Sequence, residues 1–289
     1  MKVKSIILNA YALSKPRVSA SVAVSAAIGA ALAPSPDLRS FISTVVGTFF
    51  LSAAGSAWNQ IQERPYDALM KRTRMRPLPS GKLTTRAAWA LVLVYALYGF
   101  AALLSAGIMP AAMGAAALVF YNLMYTPLKR RTAFAFVPGA IVGALPPAIG
   151  WSASGGSIGS PALWAIALFF FIWQLPHFWF IALLREEEYR AAGFPSPAER
   201  LDARARQAVG YYLVFMLAAA CLLVPLGSDG RIWAQLAACF AAATVLIFKC
   251  RMLMRRELLE TDIKKIFKLV NAFALSVALF VSLEKLISK

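Results

Sequence analysis

The sequence predicts an all-α membrane protein with about nine transmembrane helices. Of its 289 residues, 60% are hydrophobic and 15% are charged, and the mean hydropathy is +0.65. Soluble domains are typically about 45–50% apolar and about 25% charged, so this composition excludes an ordinary soluble protein. The apolar residues also fall into runs that are long enough to cross about 30 Å of hydrocarbon.

Nine such runs follow one another along the chain. They lie at 18–34, 41–60, 88–106, 111–128, 134–151, 162–184, 209–226, 232–248 and 269–287. Residues 1–17 contain no signal cleavage motif, and we interpret them as an interface-lying segment that leads into the first helix. The three cysteines lack the spacing of a metal site and are interpreted as small core residues. The chain is predicted to form one integral membrane domain, 1–289.

The basic residues predict how these helices are oriented. The connections on one side of the membrane hold 26 of the 30 Lys and Arg residues; they are 1–17, 61–87, 129–133, 185–206 and 249–268. Cytoplasmic loops are enriched in Lys and Arg, so this side is predicted to be cytoplasmic, with the N-terminus inside and the C-terminus outside. The net charge of +17 is therefore a topology signal, and nucleic acid is excluded as a partner.

The most informative segment is the polar stretch after the second apolar run. Asn59, Glu63 and Asp67 are four residues apart, so a continuing helix places all three on one face. A basic cluster follows: Lys71, Arg72, Arg74 and Arg76. Mg²⁺ prefers one or two carboxylates together with substrate phosphate oxygens, and the cations neutralise the remaining phosphate charge. The segment therefore predicts a site for a diphosphate bound through Mg²⁺.

An ordinary positively charged cytoplasmic loop is the alternative interpretation of this segment. It accounts for the Lys and Arg residues. It does not account for acids and an amide at four-residue spacing beside hydrocarbon, where ionisable groups are costly and usually functional. The functional interpretation is therefore favoured.

Two connections on the predicted cytoplasmic side, 61–87 and 185–206, are longer than connectivity requires, and we predict that they are active-site loops. In the second loop, Glu187 or Glu188 is predicted to supply a carboxylate opposite the first acidic group. Two metal sites would then clamp one diphosphate from both ends. The alternative is a solvated helix end that contains Glu186 and Glu187.

Three further residues are candidates for binding substrate. Tyr125 and Lys129 are four residues apart, so both can face one phosphate, the lysine as a point charge and the tyrosine as a hydrogen-bond donor. His177 is the only histidine, and it lies beside Pro176 in an aromatic segment. These surroundings fit a flat hydrophobic ligand and ordinary core packing equally well.

A series of motifs, in matching order, resembles the UbiA superfamily of membrane-embedded prenyltransferases, and within it the haem-modifying branch. The motifs are LSKPRV at 13–18, the segment 59–81 with MKRT and RPLPSG, YTPLKR at 125–130, GALPPAIGW at 143–151, WQLPHFW at 173–179 and EYRAAGFP at 188–195. The first acidic motif marks only the superfamily. The GALPPAIGW and WQLPHFW motifs point to the haem-modifying branch.

This resemblance implies nine helices around a central cavity that is open to lipid, in a multi-pass protein of the cell (inner) membrane. It also implies Mg²⁺-dependent ionisation of farnesyl diphosphate, with the resulting allylic cation attacked by a vinyl group of haem B. Water would then complete a hydroxyethylfarnesyl side chain.

The resemblance also implies roles for individual residues of this chain. Asn59, Glu63 and Asp67 would form the catalytic group that holds Mg²⁺ and diphosphate. The residues that would bind diphosphate oxygens are Arg72, Arg76, Tyr125 and Lys129. Glu188, with Glu187 beside it, would belong to the second metal motif. His177 would lie toward the haem.

The sequence departs from the family pattern at three places. Pro65 interrupts the first motif and predicts that the helix unwinds or kinks before Asp67. The second motif has Glu188 where the family usually has Asp. Residues 195–206 do not continue as PMLPV, so the loop that covers the site is expected to close differently.

Two alternative functions are weighed against this one. Prenylation of an aromatic quinone precursor keeps the family and changes only the acceptor. A transporter of an anionic or lipidic solute would also explain polar groups within the membrane. Transport requires alternating access, whereas the candidate functional groups of this chain cluster on one side, which disfavours a transporter.

Overall fold

The computed structural model describes residues 3–196, 199, 201–227, 232–251 and 259–287, and all regular secondary structure within these ranges is helical. The helices are α1 (Val3–Ser14), α2 (Pro16–Leu32), α3 (Leu38–Asp67), α4 (Thr85–Ala106), α5 (Ile108–Val119), α6 (Thr126–Leu128), α7 (Phe136–Ala153), α8 (Pro161–Leu184), α9 (Glu186–Ala191), α10 (Ala203–Ala220), α11 (Ile232–Cys250) and α12 (Glu260–Ile287). A π-helix, Phe120–Tyr125, joins α5 to α6, and 3₁₀ turns occupy Ala133–Ala135 and Cys221–Gly227. The predicted all-α class is confirmed.

Eight helical segments in the described ranges are long and apolar enough to cross a membrane. They are Leu38–Asp67, Thr85–Ala106, Ile108–Leu128, Ala133–Ala153, Pro161–Leu184, Ala203–Pro225, Ile232–Cys250 and Glu260–Ile287. The first predicted span corresponds to α2, which is apolar but has only 17 residues. The chain is a multi-pass membrane protein. The count of nine spans, the orientation of the termini and the central cavity stay predictions.

Local sequence sets where several helices begin. The side chains of Asp37, Thr84 and Asp202 each accept a hydrogen bond from a backbone N–H in the first turn of α3, α4 and α10, respectively. Such caps satisfy amide groups that have no partner within the helix. The caps of α4 and α10 lie at the ends of these helices on the predicted cytoplasmic side.

Glycines bring the backbones of α2 and α7 into direct contact. A Cβ atom at Gly29 would lie 1.9 Å from the carbonyl oxygen of Pro147, and one at Gly150 would lie 1.9 Å from the carbonyl oxygen of Ala26. Helices in lipid associate largely through close packing of small residues, because lipid tails are as apolar as leucine. No side chain can be added at either glycine without moving a backbone.

The largest buried cluster joins α8, α10, α11 and α12 with parts of α2 and α7. Phe169 and Phe180 of α8 are fully buried there, against residues such as Leu217 and Val270. The three cysteines are free and buried, in agreement with their interpretation as core residues.

The expectation that the helix unwinds at Pro65 is wrong, while the expected kink there stays a prediction. Helix α3 does not unwind at Pro65 but continues through it to Asp67, so residues 61–67 are helical and not part of a loop. Proline costs a helix one backbone hydrogen bond to the preceding turn. Only the bond to the Ile61 carbonyl is lost, and helical bonding continues after the proline, since the Ala68 N–H donates to the Arg64 carbonyl at 3.3 Å. The second predicted loop, 185–206, likewise contains α9 and the start of α10.

Candidate active site

The last turns of α3 present a column of three buried polar side chains. Asn59, Glu63 and Asp67 lie one turn apart and are 1%, 5% and 1% exposed. A buried carboxylate is costly unless it is paired or hydrogen-bonded. This face of α3 must therefore be compensated by groups from elsewhere in the chain.

Cations from two different connections provide that compensation for the carboxylates. One terminal nitrogen of Arg76 donates to both Asp67 oxygens, at 2.8 and 3.0 Å. The Nζ atom of Lys129 lies 2.5 Å from Oε1 of Glu63. Arg76 and Lys129, both predicted to bind diphosphate, thus lie at the α3 face.

A third cation, Lys15, comes from the junction of α1 and α2. Its Nζ donates to Oδ1 of Asn59 at 3.2 Å, while Nδ2 of Asn59 donates to Oγ1 of Thr126 at 3.2 Å. Burial is the main cause that lowers the pKa of Lys15 to about 7, and the nearby Arg76 lowers it further. Sequence reasoning missed Lys15, although it lies within the LSKPRV motif.

The backbone of Lys15 has a left-handed conformation, which is rare for a residue with a side chain. Its φ of 44° and ψ of 61° are in the left-handed region, and it is the only non-glycine residue with positive φ in the described part of the chain. Such a conformation costs about 1–2 kcal/mol for a residue with a Cβ atom. Strained residues of this kind concentrate at functional sites.

The π-helix shapes the side of the site opposite α3. Within it, the rings of Tyr121 and Tyr125 stack with centroids 5.7 Å apart. The Nζ atom of Lys129 lies 5.4 Å from the centre of the Tyr125 ring, so these two residues share a face as their spacing predicted. A π-helix inserts an extra residue per turn and is frequent at functional sites. The spacing of residues gave no signal for it.

A row of aromatic rings leads from Tyr125 to His177. The ring of Phe178 lies 5.7 Å from that of Tyr125 and 5.8 Å from that of His177. Gly139 leaves room for this row, since a Cβ atom there would lie 2.9 Å from Tyr125 and 3.0 Å from Phe178. Tyr125, one of the residues predicted to bind diphosphate, is therefore connected to His177 by two ring contacts.

The two predicted loops meet over the end of α3. The Arg72 side chain lies 3.3 Å from the Glu188 carboxylate. Phe194 packs against Tyr66 and Tyr189, with ring centroids 5.2 and 5.8 Å apart. Burial raises the pKa of Tyr189, as expected for a phenol enclosed by this contact. Residues 197, 198 and 200 of the second loop lie outside the described residues.

The acids of the second motif are arranged differently from the first. Glu188 pairs with Arg72, and Glu186 is held by Arg206 at 2.7 Å. Glu187 is exposed and has no ion pair with any described residue. Within the described ranges, no three His, Cys, Asp or Glu side chains come together to hold a metal. Each acid of the second motif thus has its own surroundings, and a second metal site opposite the first stays a prediction.

The donor set of the α3 face nevertheless fits Mg²⁺. Two carboxylates and one amide oxygen are hard oxygen ligands on successive turns, and Mg²⁺ usually takes one or two carboxylates and completes its shell with water and phosphate oxygens. A cluster of three carboxylates is therefore not needed. Glu63 lies between Asn59 and Asp67 on this buried face.

Comparison with known proteins agrees with this geometry. The model of the UbiA prenyltransferase family matches residues 20–272. The chain belongs to this family. The UbiA-family protoheme IX farnesyltransferase of Oleidesulfovibrio alaskensis is 38% identical over 245 residues, which cover 82% of this chain and 84% of that protein. This UbiA-family chain is thus a membrane prenyltransferase.

Solved structures share the UbiA fold at low sequence identity. That of digeranylgeranylglyceryl phosphate synthase superimposes with a TM-score of 0.77, at 16% identity, over 98% of this chain and 99% of that one. A UbiA homologue from Archaeoglobus fulgidus bound to GPP and Mg²⁺ gives a TM-score of 0.68 at 17% identity, over 94% of this chain and 99% of that one.

Proposed function

We propose that this chain transfers the farnesyl group of farnesyl diphosphate to a vinyl group of protohaem IX (haem B), giving haem O, in the cell inner membrane. The observation that carries the proposal is the buried oxygen face of α3, whose two carboxylates are paired with Arg76 and Lys129 and which is joined by aromatic rings to His177. The name of the Oleidesulfovibrio relative supports the haem acceptor. The ligands of the Archaeoglobus homologue support a prenyl diphosphate with Mg²⁺.

Asn59, Glu63 and Asp67 are the residues that would hold Mg²⁺. Bound there, the ion supplies positive charge against the negative charge that develops on the leaving diphosphate. The cations of the chain act in the same sense: Lys129 and Arg76 are fixed beside the α3 face and need no reorganisation when the charge develops. Their task is to stabilise the diphosphate as the C1–O bond of the prenyl chain breaks and its electron pair leaves with oxygen.

The aromatic row would protect the allylic cation that remains. Tyr121, Tyr125 and Phe178 present ring faces, which attract cations and exclude water. The π electrons of the haem vinyl group then form the new C–C bond with C1. Water adds to the resulting cation and loses a proton, which leaves the hydroxyl group of haem O.

The test is incubation of the purified protein in detergent with Mg²⁺, farnesyl diphosphate and haem B. We expect release of diphosphate together with a haem that is retained longer on reversed-phase chromatography. Parallel incubation with 4-hydroxybenzoate tests the other acceptor class. A prenylated phenol with unchanged haem would overturn the haem assignment, and a failure to release diphosphate with either acceptor would favour a transporter.

A further inference from the structure

His177 on α8 is tied to α12 by a single short hydrogen bond. Its Nδ1 atom lies 2.7 Å from Oδ1 of Asn271. The ring of Phe267, one turn before Asn271, lies 5.2 Å from the imidazole ring. The two helices thus meet through a polar pair that is otherwise surrounded by aromatic side chains.

The hydrogen bonds of Asn271 determine which nitrogen of His177 carries the proton. The amide nitrogen Nδ2 of Asn271 donates to the backbone carbonyl of Phe267 at 2.6 Å. If the amide were turned round, its oxygen would face that carbonyl, and two acceptors would meet. The amide oxygen therefore points at His177 and can only accept, so Nδ1 must be the donor.

This arrangement leaves the other ring nitrogen with a free lone pair. In a neutral imidazole with the proton on Nδ1, Nε2 is an acceptor and a metal ligand. No described residue makes a hydrogen bond to Nε2, and the ring remains partly accessible. Metal-binding histidines usually donate their second ring N–H to an oxygen in this way, which fixes tautomer and orientation.

We propose that His177 binds the iron of the haem acceptor through Nε2, and that Asn271 is a positioning residue that holds the required tautomer. This inference rests on the proposed function, in which haem is the acceptor. The location is suitable, because the ring row connects His177 to Tyr125 through Phe178 alone. Iron ligation would hold the porphyrin at one end of that row, with the diphosphate residues at the other.

The experiment is a titration of the purified full chain with ferric haem B, followed by Soret absorbance and electron paramagnetic resonance. We expect the spectrum of a histidine-ligated haem in the wild type. It should be lost in His177→Ala and restored by added imidazole. Asn271→Leu should weaken haem binding by about 10-fold, the lower end of the effect seen when a metal-binding histidine loses the oxygen that accepts its second ring N–H.

Two controls separate positioning from packing. Asn9 makes one hydrogen bond, to the backbone carbonyl of Lys82, so Asn9→Leu is the same chemical change far from His177 and should leave haem binding unchanged. Iron-free protoporphyrin IX should bind the wild type and Asn271→Leu equally, as measured by fluorescence. Equal weakening of haem and of iron-free porphyrin would overturn the proposal, as would an unchanged iron spectrum in His177→Ala.

The same preparations distinguish this inference from the proposed function. If the wild type produces haem O while His177→Ala keeps the wild-type iron spectrum, the ligand assignment fails and the enzyme assignment stands. If the wild type shows the histidine-ligated spectrum but releases no diphosphate with haem, the ligand assignment holds and the proposed reaction fails.

Discussion

The ion pair between Asp67 and Arg76 offers the most direct test of the site geometry. Asp67 is 1% exposed, and Arg76 donates to both of its oxygens. Replacing Arg76 by Met keeps the length and most of the volume of the side chain but leaves a buried carboxylate without its cation. Replacing Asp67 by Asn removes the charge and keeps an acceptor oxygen.

The expected magnitudes follow from burial. Removing one partner of a buried ion pair costs about 3–5 kcal/mol of unfolding free energy. The Arg76 side chain is 23% exposed, so water screens part of the charge and the lower end of that range, about 3 kcal/mol, applies to Arg76→Met. We expect about 2 kcal/mol for Asp67→Asn, because Arg76 then loses a charged partner. The double variant removes both charges and should cost about 3 kcal/mol, which is a coupling of about 2 kcal/mol.

The assay is reversible unfolding in mixed micelles by titration with sodium dodecyl sulphate, carried out on the four members of the cycle. Arg74→Met is the matched control: this arginine is exposed on the same loop without an ion pair to any described residue, and its replacement should change stability by less than about 0.5 kcal/mol. Single-variant losses that add up in the double variant, to within about 0.5 kcal/mol, would refute the ion pair.

Three further outcomes are expected. Glu63→Gln should abolish diphosphate release while membrane insertion is unchanged, because a metal ligand is lost at nearly constant volume; Glu260→Gln, at an exposed position at the start of α12, should remain near the wild type, and equal activity in both variants would contradict the site. Removal of divalent ions with EDTA should stop diphosphate release from the wild type, and added Mg²⁺ should restore it; release that persists in EDTA would exclude the metal. Gly150→Ala should destabilise the chain by about 1–3 kcal/mol in the same unfolding assay, since a backbone must move, whereas Gly159→Ala, where the nearest atom is 3.7 Å away, should be neutral.

The parts of the site that are local in sequence could be predicted, and those that depend on distant partners could not. The face formed by Asn59, Glu63 and Asp67 follows from the four-residue spacing within one helix. Lys15 was missed because its partner is 44 residues away and its left-handed backbone has no reliable sequence signal.

The spacing of residues in the sequence also could not predict which acidic side chain pairs with which basic one. Glu188 pairs with Arg72, which is 116 residues away in the chain, and the spacing of residues gave no signal for this pair. At Pro65 the missing backbone N–H costs α3 one hydrogen bond, and the helix tolerates that loss. The π-helix in the fourth predicted span could not be predicted either. Tyr125 and Lys129 are four residues apart whether or not a π-turn precedes them.

The pairing of each α3 oxygen ligand with a cation of the chain has a consequence for the order of binding. A divalent ion that arrives alone competes with Lys15, Lys129 or Arg76 for oxygens that are already neutralised. A pyrophosphate group offers the same side chains a second anionic partner, so they no longer compete with the ion alone. Under the proposed function, we therefore expect the ion to bind together with the prenyl donor and only weakly to the empty protein.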